Sequence, residues 1–300
     1  MGVAFLYPGQ GSQYAGMFAR LEREPESRAV FEEAREVLGY DVRMHGDSEA
    51  LRSTVDVQLG LLVLGVASSR VLAQHGVVSG AVAGHSVGGF AAAVYAQAMS
   101  FADALRVVRE RARTMARLFR TGYGMGVLAG LSEHAVRALA GDEVYVANVN
   151  APAQCVLAGK RAALEAVLAA GRLAGARRAD LLDVAVPSHC PLLAPVAARL
   201  REVLADVEVR DPRVTYVGSV GPRIIRTGNE LRQDLATGVE REVRWHDAST
   251  MLVEMGATLL VEASPGHVLT DLAKQAFPSA RAVAFDDTSA LSVAALARRD

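Results

Sequence analysis

Between Arg70 and Asp103 the chain carries no Asp, Glu, Lys or Arg. A run of that length is either buried inside a protein or long enough to span a bilayer. Gln74, His75, Ser79, His85, Ser86 and the glycines at 76, 80, 84, 88 and 89 cut it into short pieces, so it reads as the buried core of a globular protein with no membrane span. The opening Met-Gly-Val-Ala-Phe-Leu-Tyr lacks a basic leader and a small-residue cleavage site, and reads as a first strand rather than a secretory signal.

Three hundred residues leave room for one large domain, or a domain with an insert. Thirty-two Lys and Arg against 33 Asp and Glu leave no basic surplus for a broad phosphate footprint, which disfavours nucleic-acid binding. Cys155 and Cys190 are too few for a disulfide framework or a structural zinc site, so a reducing, cytoplasmic setting is expected. No His or Cys cluster and no carboxylate pair stands at ligand spacing, and metal catalysis is not expected.

Apolar strands alternate with helices. Val3 to Tyr7 and Gly80 to Ala83 read as strands; Leu59 to His75, Gly88 to Gln97 and Phe101 to Arg120 read as helices. This order predicts a parallel sheet covered by helices. From about Gly124 it changes to β-α-β-β-α-β: strands at 125–131, 144–149, 154–158 and 178–184, with helices at 132–140 and 160–174, a ferredoxin-like unit. Alternation resumes after Pro187. The expectation is an α/β protein with a large domain at 1–122 and 188–300, a small inserted domain at 123–187, and the site in the cleft between them.

Gly84-His85-Ser86-Val87-Gly88 is a G-x-S-x-G between a strand and an alanine-rich helix. Such a turn exposes the Ser86 hydroxyl and offers the Val87 N–H to a developing oxyanion; the competing reading is a glycine turn with Ser86 as a helix cap. Pro8-Gly-Gln-Gly-Ser-Gln13 follows the first strand, where Gln10 could offer its side-chain amide. The run lacks the Gly-Lys-Ser/Thr ending of a phosphate loop. For a base, His189 lies between two prolines at the domain junction, and His267 in Ser-Pro-Gly-His is its main competitor.

On the Phe101 to Arg120 helix, Arg111 shares a stripe with Ala104, Val107, Val108, Met115 and Leu118, while Arg106, Arg109, Arg113, Arg117 and Arg120 lie opposite. A guanidinium on an apolar stripe needs an anion, either a buried Asp or Glu or a substrate carboxylate. Asn148, Asn150 and Gln154, at a hairpin of the small domain, are ordinary turn residues or substrate contacts. His85, beside Ser86, and Met115 join the candidate substrate-binding residues.

Together these residues resemble the malonyl-CoA:acyl-carrier-protein transacylases. The match runs through Pro8 to Gln13, Gly84 to Gly88, Arg111 twenty-five residues after the serine, Asn150-Ala-Pro-Ala-Gln154, Val186-Pro-Ser-His-Cys190 and Gly266 to Leu272. The resemblance implies an α/β-hydrolase-like domain with a ferredoxin-like insert. It implies Ser86 as acylated nucleophile, His189 as base, Gln10 and Val87 as oxyanion hole, and Arg111 on the malonyl carboxylate. The histidine would be oriented by a backbone carbonyl between Leu235 and Trp245. Gly89 and Phe90 replace the family's usual Glu and Tyr, and Gly238 stands where Gln or Asn is expected. These departures, with Gly122-Tyr-Gly-Met125 and the segment from Gly175 to Leu193, resemble the malonate decarboxylase epsilon subunit.

The resemblance implies malonyl transfer from malonyl-CoA to the thiol of an acyl carrier protein, in that subgroup the carrier subunit of malonate decarboxylase. Other decarboxylase subunits would then be partners. No cofactor is expected: malonyl-CoA is a substrate, and the CoA-derived arm belongs to the acceptor. A fatty-acid or polyketide transacylase, a serine esterase or thioesterase, and a non-catalytic carrier-docking protein are the alternatives.

Overall fold

The computed structural model describes residues 2–184, 186–218 and 220–299. Ala185, inside the segment quoted for the subgroup resemblance, lies outside the described residues, as do Met1 and Asp300 at the limits of the expected large domain.

In chain order the regular elements are β1 (Val3–Tyr7), α1 (Pro25–Leu38), α2 (Thr54–Gln74), β2 (Ala81–Gly84), α3 (Gly88–Tyr95), α4 (Phe101–Leu118), β3 (Tyr123–Ala129), α5 (Glu133–Ala140), β4 (Val144–Ala151), β5 (Gln154–Lys160), α6 (Arg161–Leu173), β6 (Arg178–Leu181), α7 (Ala194–Ala205), β7 (Thr215–Val217), β8 (Ile224–Ile225), α8 (Gly228–Thr237), α9 (Trp245–Glu254), β9 (Leu259–Glu262), α10 (Val268–Ala276), β10 (Arg281–Ala284) and α11 (Ala290–Ala297). Their ends follow local chemistry. Ser53, Ser100 and Ser132 accept the N3 amides of α2, α4 and α5, Thr227 and Glu230 close a capping box on α8, and Gly39 ends α1 in the left-handed region at φ 84°.

One sheet runs β10-β9-β1-β2-β7-β8, parallel except for the β7–β8 hairpin. Every residue of β1 and β2 is buried, as strands covered on both faces require. The second sheet is antiparallel in the order β4-β5-β3-β6, which places the fourth, first, third and second strands of the β-α-β-β-α-β unit side by side. The two sheets are tied through backbone. Val149 N–H donates to Val243 O at 2.9 Å, and Val243 N–H to Ala147 O at 2.8 Å.

The uncharged stretch resolves into the end of α2, β2, α3 and the start of α4. Among the described residues, α2 alone is long and apolar enough to cross a membrane, and it lies inside the protein against α1, α3 and α4. Leu118 departs from expectation. It is the last residue of α4 and is 45% exposed, because the apolar stripe loses its cover where the helix ends.

Candidate active site

Tyr7 and Gly84 are level in the parallel pair, so the loops leaving β1 and β2 rise together at the carboxyl edge of the sheet, where α/β proteins build their sites. The β2–α3 turn is tight enough to dictate its glycines. A Cβ on Gly84 would sit 2.2 Å from Gly89 N, and one on Gly88 2.2 Å from Tyr7 O. Between them Ser86 is held at φ 56°, a left-handed conformation that costs a non-glycine residue about 1–2 kcal/mol. His189 is held likewise at φ 62°.

His189 Nε2 lies 2.7 Å from Ser86 Oγ, and its Nδ1 lies 2.7 Å from Gly238 O. A carbonyl only accepts, so Nδ1 carries the proton and Nε2 presents its lone pair to the serine hydroxyl. The His189 N–H donates to Val239 O at 2.8 Å, so adjacent carbonyls fix both backbone and ring. Burial first, then the Arg111 cation and the His85 ring, push the His189 pKa down from 6.5 to about 3; the ring is neutral near pH 7.

Arg111, 4% exposed, donates through Nη2 to Ser86 Oγ at 3.2 Å and through Nη1 to Gln58 Oε1. Among the described residues no carboxylate pairs with it, which removes the reading of a structural ion pair. Burial lowers its pKa to about 10, so it remains cationic near neutrality. Gln58 is fully buried, and its Nε2 donates to Thr54 Oγ1 at 2.9 Å and to Met115 Sδ at 3.5 Å. Thr54 Oγ1 donates in turn to Gln10 Oε1 at 3.2 Å. A polar chain thus runs from Gln10 through Thr54, Gln58, Arg111 and Ser86 to His189.

Sequence reasoning missed Gln58 and Thr54. The available sign was a glutamine four residues after a threonine, at the edge of the apolar run from Leu59 to Ala67.

These groups line a cavity of about 330 Å³ between the two sheets, with Gln10, His85, Ser86, Val87, Arg111 and His189 on one wall and Asn148, Asn150 and Gln154 on the other. Among the described residues, no intramolecular acceptor engages the backbone N–H of Val87 or of Gln10, and the Gln10 side-chain oxygen is occupied by Thr54. Asn148, 6% exposed, has no partner for Oδ1 among the described residues, whereas Asn150 Oδ1 lies 3.3 Å from His85 Nε2. Burial lowers the His85 pKa to about 4, and its ring packs edge-on against Trp245 at 5.4 Å.

Two candidates fall elsewhere. Met115 does not line the cavity, because it is fully buried in the interior with its Sδ against the Gln58 amide at 3.5 Å. His267 faces outward and pairs with Asp271 at 2.8 Å, which holds its pKa up and removes it from the competition for Ser86. No group of three or more His, Cys, Asp or Glu among the described residues could hold a metal ion.

The sequence profile of the acyl transferase domain matches residues 4–300. The malonyl CoA-acyl carrier protein transacylase of Escherichia coli O157:H7 is 37% identical over 302 residues, spanning 97% of this chain and 98% of that protein. Its namesake from Bacillus subtilis strain 168 is 31% identical over 303 residues, spanning 97% and 96%. Among solved structures, the transacylase of Coxiella burnetii superposes with a TM-score of 0.94 at 32% identity, covering 99% of this chain and 98% of that one. A malonyl-transacylase solved with its type II polyketide acyl-carrier protein gives 0.91 at 35% identity, covering 98% and 99%. The chain belongs to the malonyl-CoA:acyl-carrier-protein transacylases, within the acyl transferase domain family.

Proposed function

We propose that this protein moves a malonyl group from malonyl-CoA to the thiol of an acyl carrier protein through a malonyl ester on Ser86. The observation that carries the reading is a buried guanidinium without a carboxylate, 3.2 Å from the serine oxygen that also meets His189. A dicarboxylic thioester supplies the missing anion at the atom where acyl transfer begins.

His189 accepts the Ser86 proton as Oγ attacks the thioester carbonyl. The N–H groups of Val87 and Gln10 hold the oxyanion, and the coenzyme A thiolate leaves with the proton returned by His189. The carrier's thiol then enters, gives its proton to His189 and takes the malonyl group, and His189 returns that proton to Ser86 Oγ as it leaves. The Gln10 side-chain oxygen, engaged by Thr54, holds the loop that presents the backbone N–H. Arg111 discriminates against acetyl groups, which leave its charge buried without a partner. Binding of the malonyl carboxylate also neutralises a cation that depresses His189, so substrate raises the basicity of its own base. The 123–187 segment, taken as a ferredoxin-like insert on an α/β-hydrolase-like body, supplies the wall that bears Asn148 and Asn150.

The polyketide carrier complex of a relative supports an acyl-carrier acceptor of the fatty-acid or polyketide type. The departures at Gly89, Phe90 and Gly238 support the carrier subunit of malonate decarboxylase instead. Incubation with malonyl-CoA, read by intact mass, tests the chemistry: a malonyl increment on Ser86 is expected, and its absence overturns the reading. Offering both carriers to the acyl-enzyme, and comparing rates of adduct loss, decides the acceptor.

A further inference from the structure

Residues 238–244 carry the two carbonyls that hold His189, and the same seven residues are fastened to three other parts of the protein. Glu240 pairs with Arg201 of α7 at 2.5 Å. Val243 exchanges backbone bonds with Ala147 and Val149 of β4. Glu242 and Arg244 meet α5 of the small sheet: Arg137 Nη2 bonds both oxygens of Glu242 at 2.7 and 2.8 Å and Glu133 at 2.7 Å, while Arg244 Nη1 bonds Glu133 at 2.7 Å and Glu242 at 3.1 Å. Arg244 Nε is further held by Asp247 at 2.8 Å.

A lone surface pair contributes little, but shared, partly bidentate contacts among four charges fix geometry. Arg244 at 28% and Glu242 at 22% side-chain exposure are the more sheltered pair of the four. A groove lined by Arg137, Glu240, Arg241, Glu242, His189 and Cys190 runs along this segment, whose fastenings beside it are the clasp, the Glu240–Arg201 pair and the Val243 backbone bonds.

We propose that Arg137 and Arg244 are positioning residues for His189. Their clasp with Glu133 and Glu242 anchors the 238–244 segment to the small sheet and so sets the imidazole against Ser86. The placement of the small sheet is thereby coupled to the acyl-transfer dyad, several residues away from any substrate contact. The proposal rests on the reading of His189 as the base.

The test compares single-turnover malonylation of Ser86 in the full-length protein, its Arg137→Gln and Arg244→Gln variants, and their Arg→Lys counterparts, with thermal melts for each. Loosening the base by a fraction of an ångström predicts a fall of about five- to twenty-fold in the limiting acylation rate of the Gln variants, with KM changed less than about two-fold and substantial recovery in the Lys variants. A folded Gln variant that acylates at the wild-type rate, or one whose whole loss lies in KM, overturns the proposal. So does a Lys variant no better than its Gln counterpart. Should Arg244→Gln fail to fold, Arg137→Gln decides, since Arg137 is the more exposed and its loss leaves the Arg244 contacts in place. Wild-type protein that forms no acyl-serine, or a His189→Ala variant that acylates normally, rejects the underlying assignment of the base instead.

Discussion

Arg111 Nη2 and His189 Nε2 converge on one atom, Ser86 Oγ, from 3.2 and 2.7 Å. Near neutrality one is a cation and the other a neutral acceptor, so in the proposed mechanism the hydroxyl sits where proton removal and carboxylate capture meet. Arg111→Ala should lower Ser86 malonylation by at least about 100-fold, the scale of a lost charge-assisted pair, and acetylation by far less. Rates from malonyl-CoA and acetyl-CoA on the same preparations check this; equal losses would remove the selector role.

Ser86→Ala should abolish the malonyl increment. Ser86→Gly should do so too while unfolding at higher urea than Ser86→Ala, by about 1 kcal/mol, because glycine adopts the φ of 56° without strain. Equal midpoints would show that strain at Ser86 does not exceed the unfolded-chain entropy that glycine adds.

The third prediction concerns acidity. A pKa near 3 keeps His189 unprotonated well below the 6.5 of a free imidazole, so kcat/KM for acylation should stay level from pH 8 to about 5. The Arg111 cation is one cause of that depression. Arg111→Gln should therefore move the acid limb to higher pH; a limb that stays in place would show that the Arg111 cation has no part in the depression.

Gln58 gives a fourth. Gln58→Glu places an internal carboxylate on Arg111 and should raise KM for malonyl-CoA at least about ten-fold by competing with the substrate. Gln58→Leu should destabilise by about 1–3 kcal/mol, since a buried donor loses its acceptor. Isothermal denaturation and initial rates separate the two effects.

Arg111 was legible because an arginine amid alanine and valine at helical spacing is conspicuous, and the Ser86 turn because glycine is required where Cβ atoms collide. The β-α-β-β-α-β unit showed in its alternation of apolar runs. Helices α1, α8 and α11 escaped: the first two are crowded with charge, and the third is a short alanine-rich segment whose pattern hardly favours a face. Gln58 was concealed by the apolar run around it. The carbonyl that orients His189 is placed between Leu235 and Trp245 only by the family resemblance; that it belongs to Gly238, 49 positions away, leaves no mark in the residues, since every residue has a carbonyl.

That separation has a consequence during synthesis. The β2–α3 turn is complete once α3 has been made, but the carbonyls that hold the imidazole arrive only with residues 238 and 239, more than 140 residues later. A growing polypeptide that stops short of residue 239 therefore lacks the carbonyls that turn the imidazole toward Ser86, so the two residues can be brought together in this geometry only late in synthesis.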